Sequence, residues 1–75
     1  MGNKVERDRM EVEGVVIESN RGQFKVKVND THIVLCTLSG KIRMNSVKVV
    51  VGDAVICEIS IHQLDRGRIV RRFKE

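Results

Sequence analysis

The sequence predicts an all-β domain of five strands, with one short helical turn between the third and fourth strands. Apolar residues recur at every second position along most of the chain, as expected for strands that bury one face. Short runs of Gly, Asn, Asp and Ser separate these segments, and the chain contains no proline. With 75 residues the chain forms one domain, and its small core leaves little space for a deep substrate pocket.

The alternation of apolar and polar residues predicts the first two strands. The first covers residues 10–18, where Gly14 indicates a bulge or a sharp coil. A turn at residues 19–22 leads into the second strand over residues 24–28, and another turn follows at residues 29–31. In the second strand the expected inward residues are Phe24, Val26 and Val28, and the expected outward residues are Lys25 and Lys27.

The middle of the chain predicts a third strand and the helical turn. The third strand covers residues 32–38, and its inward face stays undecided because four successive residues in it are apolar. Residues 39–45 break the two-residue period and predict one short helical turn that plugs a barrel end. Ser39 is the expected N-cap, and Ile42 and Val47 are expected to point back at the core.

The last third of the chain predicts two more strands. Residues 48–51 are extended, and residues 52–53 form a turn whose aspartate is expected to accept local backbone hydrogen bonds. The fourth strand then covers residues 54–61, a loop covers residues 62–65, and the fifth strand covers residues 66–73. In the fourth strand Val55, Cys57, Ile59 and Ile61 are expected to face inward, and in the fifth Arg66, Arg68, Val70 and Arg72 are expected to share one side.

This order of elements matches the OB-fold, a five-stranded Greek-key barrel. An SH3-like barrel is the main rival, and the position of the helical turn favours the OB-fold. Residues 1–8 are charged and lack apolar periodicity, so they are predicted to form a flexible N-terminal tail. Residues 9–75 are predicted to form the OB-fold domain.

The charge of the chain is unevenly distributed. The formal net charge is +4 and the sequence pI is about 9.5. Residues 1–18 hold three basic and five acidic side chains, whereas residues 19–75 hold eleven basic and five acidic ones. No acidic residue lies between Thr31 and Gly52. A basic excess confined to particular segments is typical of a surface that binds a polyanion.

Two basic segments containing glycine carry the prediction of RNA binding. They are residues 39–45 and 65–68, and each places two cations two residues apart. Arginine offers a rigid fork of donors that suits phosphate oxygens, and its plane can stack on an exposed base. We also predict RNA contacts at Lys25, on the second strand, and at His62, which is near the second basic segment in the sequence. Because Phe24 and Phe73 are the only aromatic residues, folded RNA is a better ligand than a single strand recognised by stacking.

Other kinds of site find no support in the sequence. Cys36 and Cys57 stand 21 residues apart without a CxxC pair, and they are expected to be buried, reduced thiols. No spacing of His32 and His62 resembles a metal motif, and no enzyme motif is present. We therefore expect no metal, no cofactor and no catalysis. The chain has no signal-peptide pattern and no apolar run long enough to span a bilayer, so we expect a cytoplasmic protein without a membrane partner.

The motifs together resemble the family of bacterial-type translation initiation factor one. The resemblance covers residues 5–73 and is carried by four segments: FKVKV at 24–28, SGKIRMN at 39–45, VVGD at 50–53 and RGRIV at 66–70. The chain departs from the family pattern at Ser46, where a tyrosine is usual, at His62-Gln63, where Tyr-Asp is usual, and at Thr37, where a histidine is common.

The resemblance implies an OB-fold factor that is a monomer when free and binds the small ribosomal subunit at the decoding A site. It would lie between ribosomal RNA and a small-subunit protein, block premature tRNA entry, and help the second and third initiation factors assemble the start complex. The positions that match RNA-contacting residues of the family are Lys41, Arg43, Asn45, Lys48, Arg66 and Arg68.

Two other functions remain open at this point. A general cold-shock-like RNA chaperone would need aromatic residues on the second and third strands, and this chain lacks them there apart from Phe24. A protein-interaction barrel would use edge strands or apolar loops and would bind no nucleic acid. The function implied by the family resemblance, binding to ribosomal RNA, requires that the two basic segments converge on one surface after folding.

Overall fold

Five strands and one helix form in the computed structural model, which describes residues 8–73. The strands close into a barrel in which neighbours follow the order β1–β2–β3–β5–β4. The N-terminal tail predicted for residues 1–8 lies outside the described residues except for Asp8. The elements are β1 (Arg9–Asn20), β2 (Gln23–Asn29), β3 (His32–Leu38), α1 (Gly40–Met44), β4 (Ala54–Ser60) and β5 (Gln63–Arg72).

The first strand is long because it pairs with two neighbours. Its residues 9–15 pair with β4 and its residues 15–20 pair with β2. Gly14 lies where the strand passes from one partner to the other, and a Cβ there would stand 2.5 Å from a methyl of Val26. The bulge lies three residues further on than predicted, at Ile17. Glycine at position 14 therefore permits close approach of β2, and the bulge bends the strand after it.

The strand periodicity predicts most of the core correctly. Phe24, Val26, Val55, Cys57 and Ile59 are buried as expected. The sequence left the inward face of β3 open, and the structure shows that Val34 and Cys36 are buried whereas Ile33 is exposed. Ile61 is exposed, so its predicted inward orientation is wrong, since β4 ends one residue before it. The buried apolar core consists of Val16, Phe24, Val26, Val34, Cys36, Ile42, Val49, Val55, Cys57, Ile59 and Ile69.

Helix α1 closes one end of the barrel, as predicted. The Ser39 side chain accepts a hydrogen bond from the Ile42 backbone at 3.3 Å, which confirms the N-cap. Ile42 is buried, and Val47 packs against the core. The Ser39 backbone donates to the Ile69 carbonyl at 3.0 Å, so the helix begins beside β5. Asp53 accepts from the Val50 backbone at 2.9 Å, as expected for its turn.

The fifth strand differs from its prediction at both ends. It begins at Gln63, because the turn after β4 needs only Ile61 and His62. Its pairing with β4 shifts register between Ile56 and Cys57, which leaves Val70 as a bulge. Arg72 therefore does not share a side with Arg66 and Arg68, because a bulge reverses the alternation of side chains. Within the described residues, no helix has the length and apolar character needed to cross a membrane.

Candidate nucleic-acid interface

Strand register brings three of the predicted contacts to one outer face of the barrel. Lys25 on β2 is opposite Leu35 on β3, and Leu35 is opposite Arg66 on β5. Adjacent strands lie about 4.8 Å apart, so the backbones of Lys25 and Arg66 are within about 10 Å of each other across the sheet, on either side of Leu35. In the next row towards α1, Thr37 is opposite Arg68. The outward face of β2, β3 and β5 is therefore cationic with an uncharged centre.

A shallow groove of about 270 Å³ runs along this face between β5 and β4. Its walls include Arg66, Arg68 and Thr37. Gly67 lies between the two arginines, and a Cβ there would stand 2.6 Å from the Glu58 carbonyl oxygen. The glycine therefore lets β5 lie against β4, and the strand alternation holds both arginines on the outer face.

Two of the predicted contacts form ion pairs. Arg68 donates to one carboxylate oxygen of Glu58 from Nη2 at 2.9 Å and from Nε at 3.2 Å. Arg9 donates to the same oxygen at 3.3 Å, and the Glu58 side chain is only 24% exposed. Lys25 lies 3.3 Å from a carboxylate oxygen of Glu18. These pairs hold the cations on the surface and partly neutralise them.

The second basic segment lies at the barrel end that α1 closes. Lys41, Arg43, Asn45 and Lys48 are all exposed there, and within residues 8–73 none of the three cations forms an ion pair. Helix α1 begins next to Ile69, one residue beyond Arg68 on β5. Arg72 donates to the Lys48 carbonyl at 3.3 Å and joins the segment after α1 to β5. The two predicted clusters are thus adjacent in space.

One further cation belongs to this end, and the sequence prediction missed it. Arg21 lies in the two-residue turn between β1 and β2, where Arg21 and Gly22 have φ angles of 51° and 82°. Gln23, which follows the turn, is opposite Thr37 near the start of α1. Only the register of β2 against β3 shows that this turn lies beside α1. We call the whole set the basic surface: Arg21, Lys25, Lys41, Arg43, Lys48, Arg66 and Arg68.

His62 lies apart from the basic surface. It occupies the turn between β4 and β5, at the barrel end away from α1, and its Nε2 lies 3.9 Å from a carboxylate oxygen of Asp8. It is near the far end of the groove, because Ser60 and Gln63 on either side of the turn line it. The structure does not bring His62 together with the cations near α1.

The two thiols face each other inside the core. The sulfur atoms of Cys36 and Cys57 lie 3.4 Å apart, and both residues are fully buried. The hydrogen bond with Cys57 and burial raise the pKa of the Cys36 thiol, which therefore stays protonated. Within the described residues there is no cluster of three or more His, Cys, Asp or Glu side chains that could hold a metal ion.

Comparisons with known proteins agree with this fold. The family model for translation initiation factor 1A / IF-1 matches residues 3–75. The solution structure of translation initiation factor one from the Wolbachia endosymbiont strain TRS of Brugia malayi is 37% identical, with 91% of this chain and 82% of that chain covered and a TM-score of 0.76. The predicted OB-fold barrel with its helix between β3 and β4 is confirmed. The chain belongs to the translation initiation factor 1A / IF-1 family.

Proposed function

We propose that this protein is a non-catalytic, cytoplasmic initiation factor, monomeric when free, that binds the small ribosomal subunit at the decoding A site. By occupying that site it blocks premature tRNA entry. It also helps the second and third initiation factors assemble the start complex, and it lies between ribosomal RNA and a small-subunit protein. Membership of the family supports the role in initiation, and the basic surface supports the contact with RNA.

The observation that carries the proposal is the adjacency of the two cation clusters. Arg66 lines the groove, where its guanidinium fork can donate paired hydrogen bonds to phosphate oxygens. Arg68 donates to Glu58 from Nε and Nη2 and keeps its Nη1 donors for a phosphate. Lys41 and Arg43 lie just beyond Arg68 and can contact neighbouring phosphates of the same RNA. Leu35 and Thr37 form an uncharged strip between the cations, against which a sugar or a base can pack.

The form of the RNA follows from the position of the aromatic residues. Phe24 is buried in the core. Phe73 follows β5, and its backbone donates to the Ala54 carbonyl at 2.9 Å, beside the start of β4. The basic surface therefore offers no aromatic platform on which bases of a single strand could stack. Shape and phosphate geometry of folded RNA suit it better. This favours a ribosomal site over the alternative of a cold-shock-like chaperone for unstructured RNA.

Chemical footprinting of small-subunit RNA tests the proposal. We expect protection confined to the decoding centre with the unchanged protein, and loss of that protection with Arg66→Ala or Arg43→Ala. Arg71→Ala is the matched control, because Arg71 is also exposed on β5 but is paired with Glu11 at 3.2 Å away from the groove. Protection at another site, or equal loss with Arg71→Ala, would contradict the proposal. Tight binding of unstructured oligonucleotides at moderate salt would favour the chaperone.

A further inference from the structure

The two ends of the barrel are built differently. Helix α1 closes one end by burying Ile42. At the other end the interior opens into a cavity of about 400 Å³, within the range of ~300–1,000 Å³ typical of ligand sites. The apolar walls of this cavity are Met10, Val12, Val28, Ile59 and Leu64.

Part of this apolar wall is accessible to a partner. Met10 is 44% exposed and Leu64 is 47% exposed, although both line the cavity. His32 stands in the same wall and donates from its Nε2 to the Leu64 carbonyl at 2.8 Å, which fixes that side of the opening. The cavity has room for an apolar side chain of a partner, which can enter it beside these two residues.

The charges around this opening are acidic. Glu13 lines the cavity, and Asp65 follows the lining residue Leu64 in the chain. Asp30 lies in the turn between the lining residues Asn29 and His32. Asp8 lies beside the turn between β4 and β5, where its backbone carbonyl accepts from Ile61 at 2.8 Å. All four carboxylates are exposed, and within residues 8–73 none is paired with a lysine or an arginine.

Among residues 8–73, the cations of β1 and β2 at this end lie on the outer face. Arg9 donates to Glu58 on the outer face, and Lys27 is exposed on the outer face of β2, opposite Ile33. His62 approaches Asp8 only to 3.9 Å. We call this opening with its four carboxylates the acidic groove.

We propose that the acidic groove binds a basic segment of a partner protein. The segment inserts one aliphatic or methionine side chain between Met10 and Leu64 and places lysine or arginine against the carboxylates around the opening. A nucleic acid does not fit here, because its phosphates would meet four carboxylates and its backbone offers no apolar side chain for the cavity. The protein thus has two docking surfaces of opposite charge, and the inference holds whether or not the basic surface binds RNA.

A designed peptide on the free, full-length protein tests this inference. The probe is a short synthetic peptide of alternating lysine and leucine, and the readout is the shift of backbone amide signals in NMR spectra. We expect shifts at residues 10–13, 28–32 and 59–65 and not on the basic surface. A lysine–serine peptide, which lacks the apolar insert, and a glutamate–leucine peptide, which has the wrong charge, are expected to bind at least about tenfold more weakly.

Matched variants locate the binding. Leu64→Ser removes one wall of the groove and should weaken the lysine–leucine peptide by at least about fivefold, since burial of a leucine side chain is lost. Ile33→Ser is the control, because Ile33 is exposed to nearly the same extent, 46%, but lies on the outer face of β3 outside the groove. It should change the affinity less than about twofold. Asp30→Asn combined with Asp65→Asn should weaken the peptide and flatten its salt dependence.

Several results would overturn the inference. These are equal weakening by Leu64→Ser and Ile33→Ser, equal binding of the lysine–serine peptide, or shifts scattered over the surface. Shifts of the groove signals caused by an RNA hairpin would assign the groove to nucleic acid instead. Nuclear Overhauser contacts between Leu64 and residues 1–7 in the free protein would show that the chain fills its own groove. None of these results depends on the ribosomal footprint, so the two proposals fail separately.

Discussion

Replacing Glu58 by glutamine should strengthen binding to the small subunit if Arg68 contacts RNA. One carboxylate oxygen of Glu58 holds both Arg68, at 2.9 Å, and Arg9, at 3.3 Å. A phosphate that binds Arg68 must therefore approach this carboxylate to within about 5 Å, where two unit negative charges repel by about 0.8 kcal/mol in water and by more at a half-buried group. Removing about 1 kcal/mol of repulsion between Glu58 and the phosphate corresponds to about fivefold tighter binding to the small subunit.

The assay is equilibrium binding of labelled protein to small subunits at low salt, with thermal unfolding measured in parallel. The lost pairs are partly exposed, so Glu58→Gln should lower stability by at most about 1 kcal/mol. Glu11→Gln is the control, because it makes the same change of charge one strand further from Arg68, and its effect on affinity should be below about twofold. Unchanged or weaker binding of Glu58→Gln would refute the assignment of Arg68 as a phosphate contact.

Three further predictions concern the fold that holds these surfaces. Gly67→Ala should lower stability by about 2 kcal/mol in denaturant unfolding, because its Cβ would stand 2.6 Å from a backbone oxygen of β4. Gly40→Ala is the control and should not destabilise, because a Cβ there would meet nothing within 4 Å. Equal effects of the two substitutions would contradict the packing argument. Ser39→Ala should cost about 1 kcal/mol through loss of the N-cap, and Ser39→Asp should restore most of it; identical stability of both variants would exclude the cap. Cys36 and Cys57 should react with a thiol reagent at pH 8 only at the rate of unfolding, and rapid labelling of the native protein would show that these thiols are not buried.

The sequence predicts most of the fold because each clear strand buries one face. In β2 the alternation of Phe24 and Val26 with two lysines leaves only one possible orientation, and the structure confirms it. In β3 four apolar residues in succession give no such constraint. Only the packing of β3 between β2 and β5 decides that Val34 and Cys36 are inside.

The start and the end of β5 could not be predicted for a different reason. Gln63 and Asp65 are polar and suggest a loop, but Gln63 pairs with Ser60 of β4. Asp65 lies in the register shift that follows, and both side chains are exposed. The bulge at Val70 depends on how β5 pairs with β4, which no local pattern in the sequence shows. The bulge is what separates Arg72 from Arg66 and Arg68.

The basic surface could be predicted in part. Alternation along a strand predicts that Arg66 and Arg68 share a side, and the register confirms this. The contribution of Arg21 and the ion pair of Arg68 with Glu58 could not be predicted, because both depend on which strands become neighbours. A sequence pattern shows the face of a strand on which a charge lies, and only the barrel shows which charges face it.

The salt dependence of small-subunit binding tests the central claim that the two cation clusters form one RNA-binding surface. The slope of log affinity against log salt should fall by about 0.7–0.9 for Arg43→Ala, by about the same amount for Arg68→Ala, and by the sum in the double variant. A slope that responds to only one of the two substitutions would show that the clusters do not bind the same RNA.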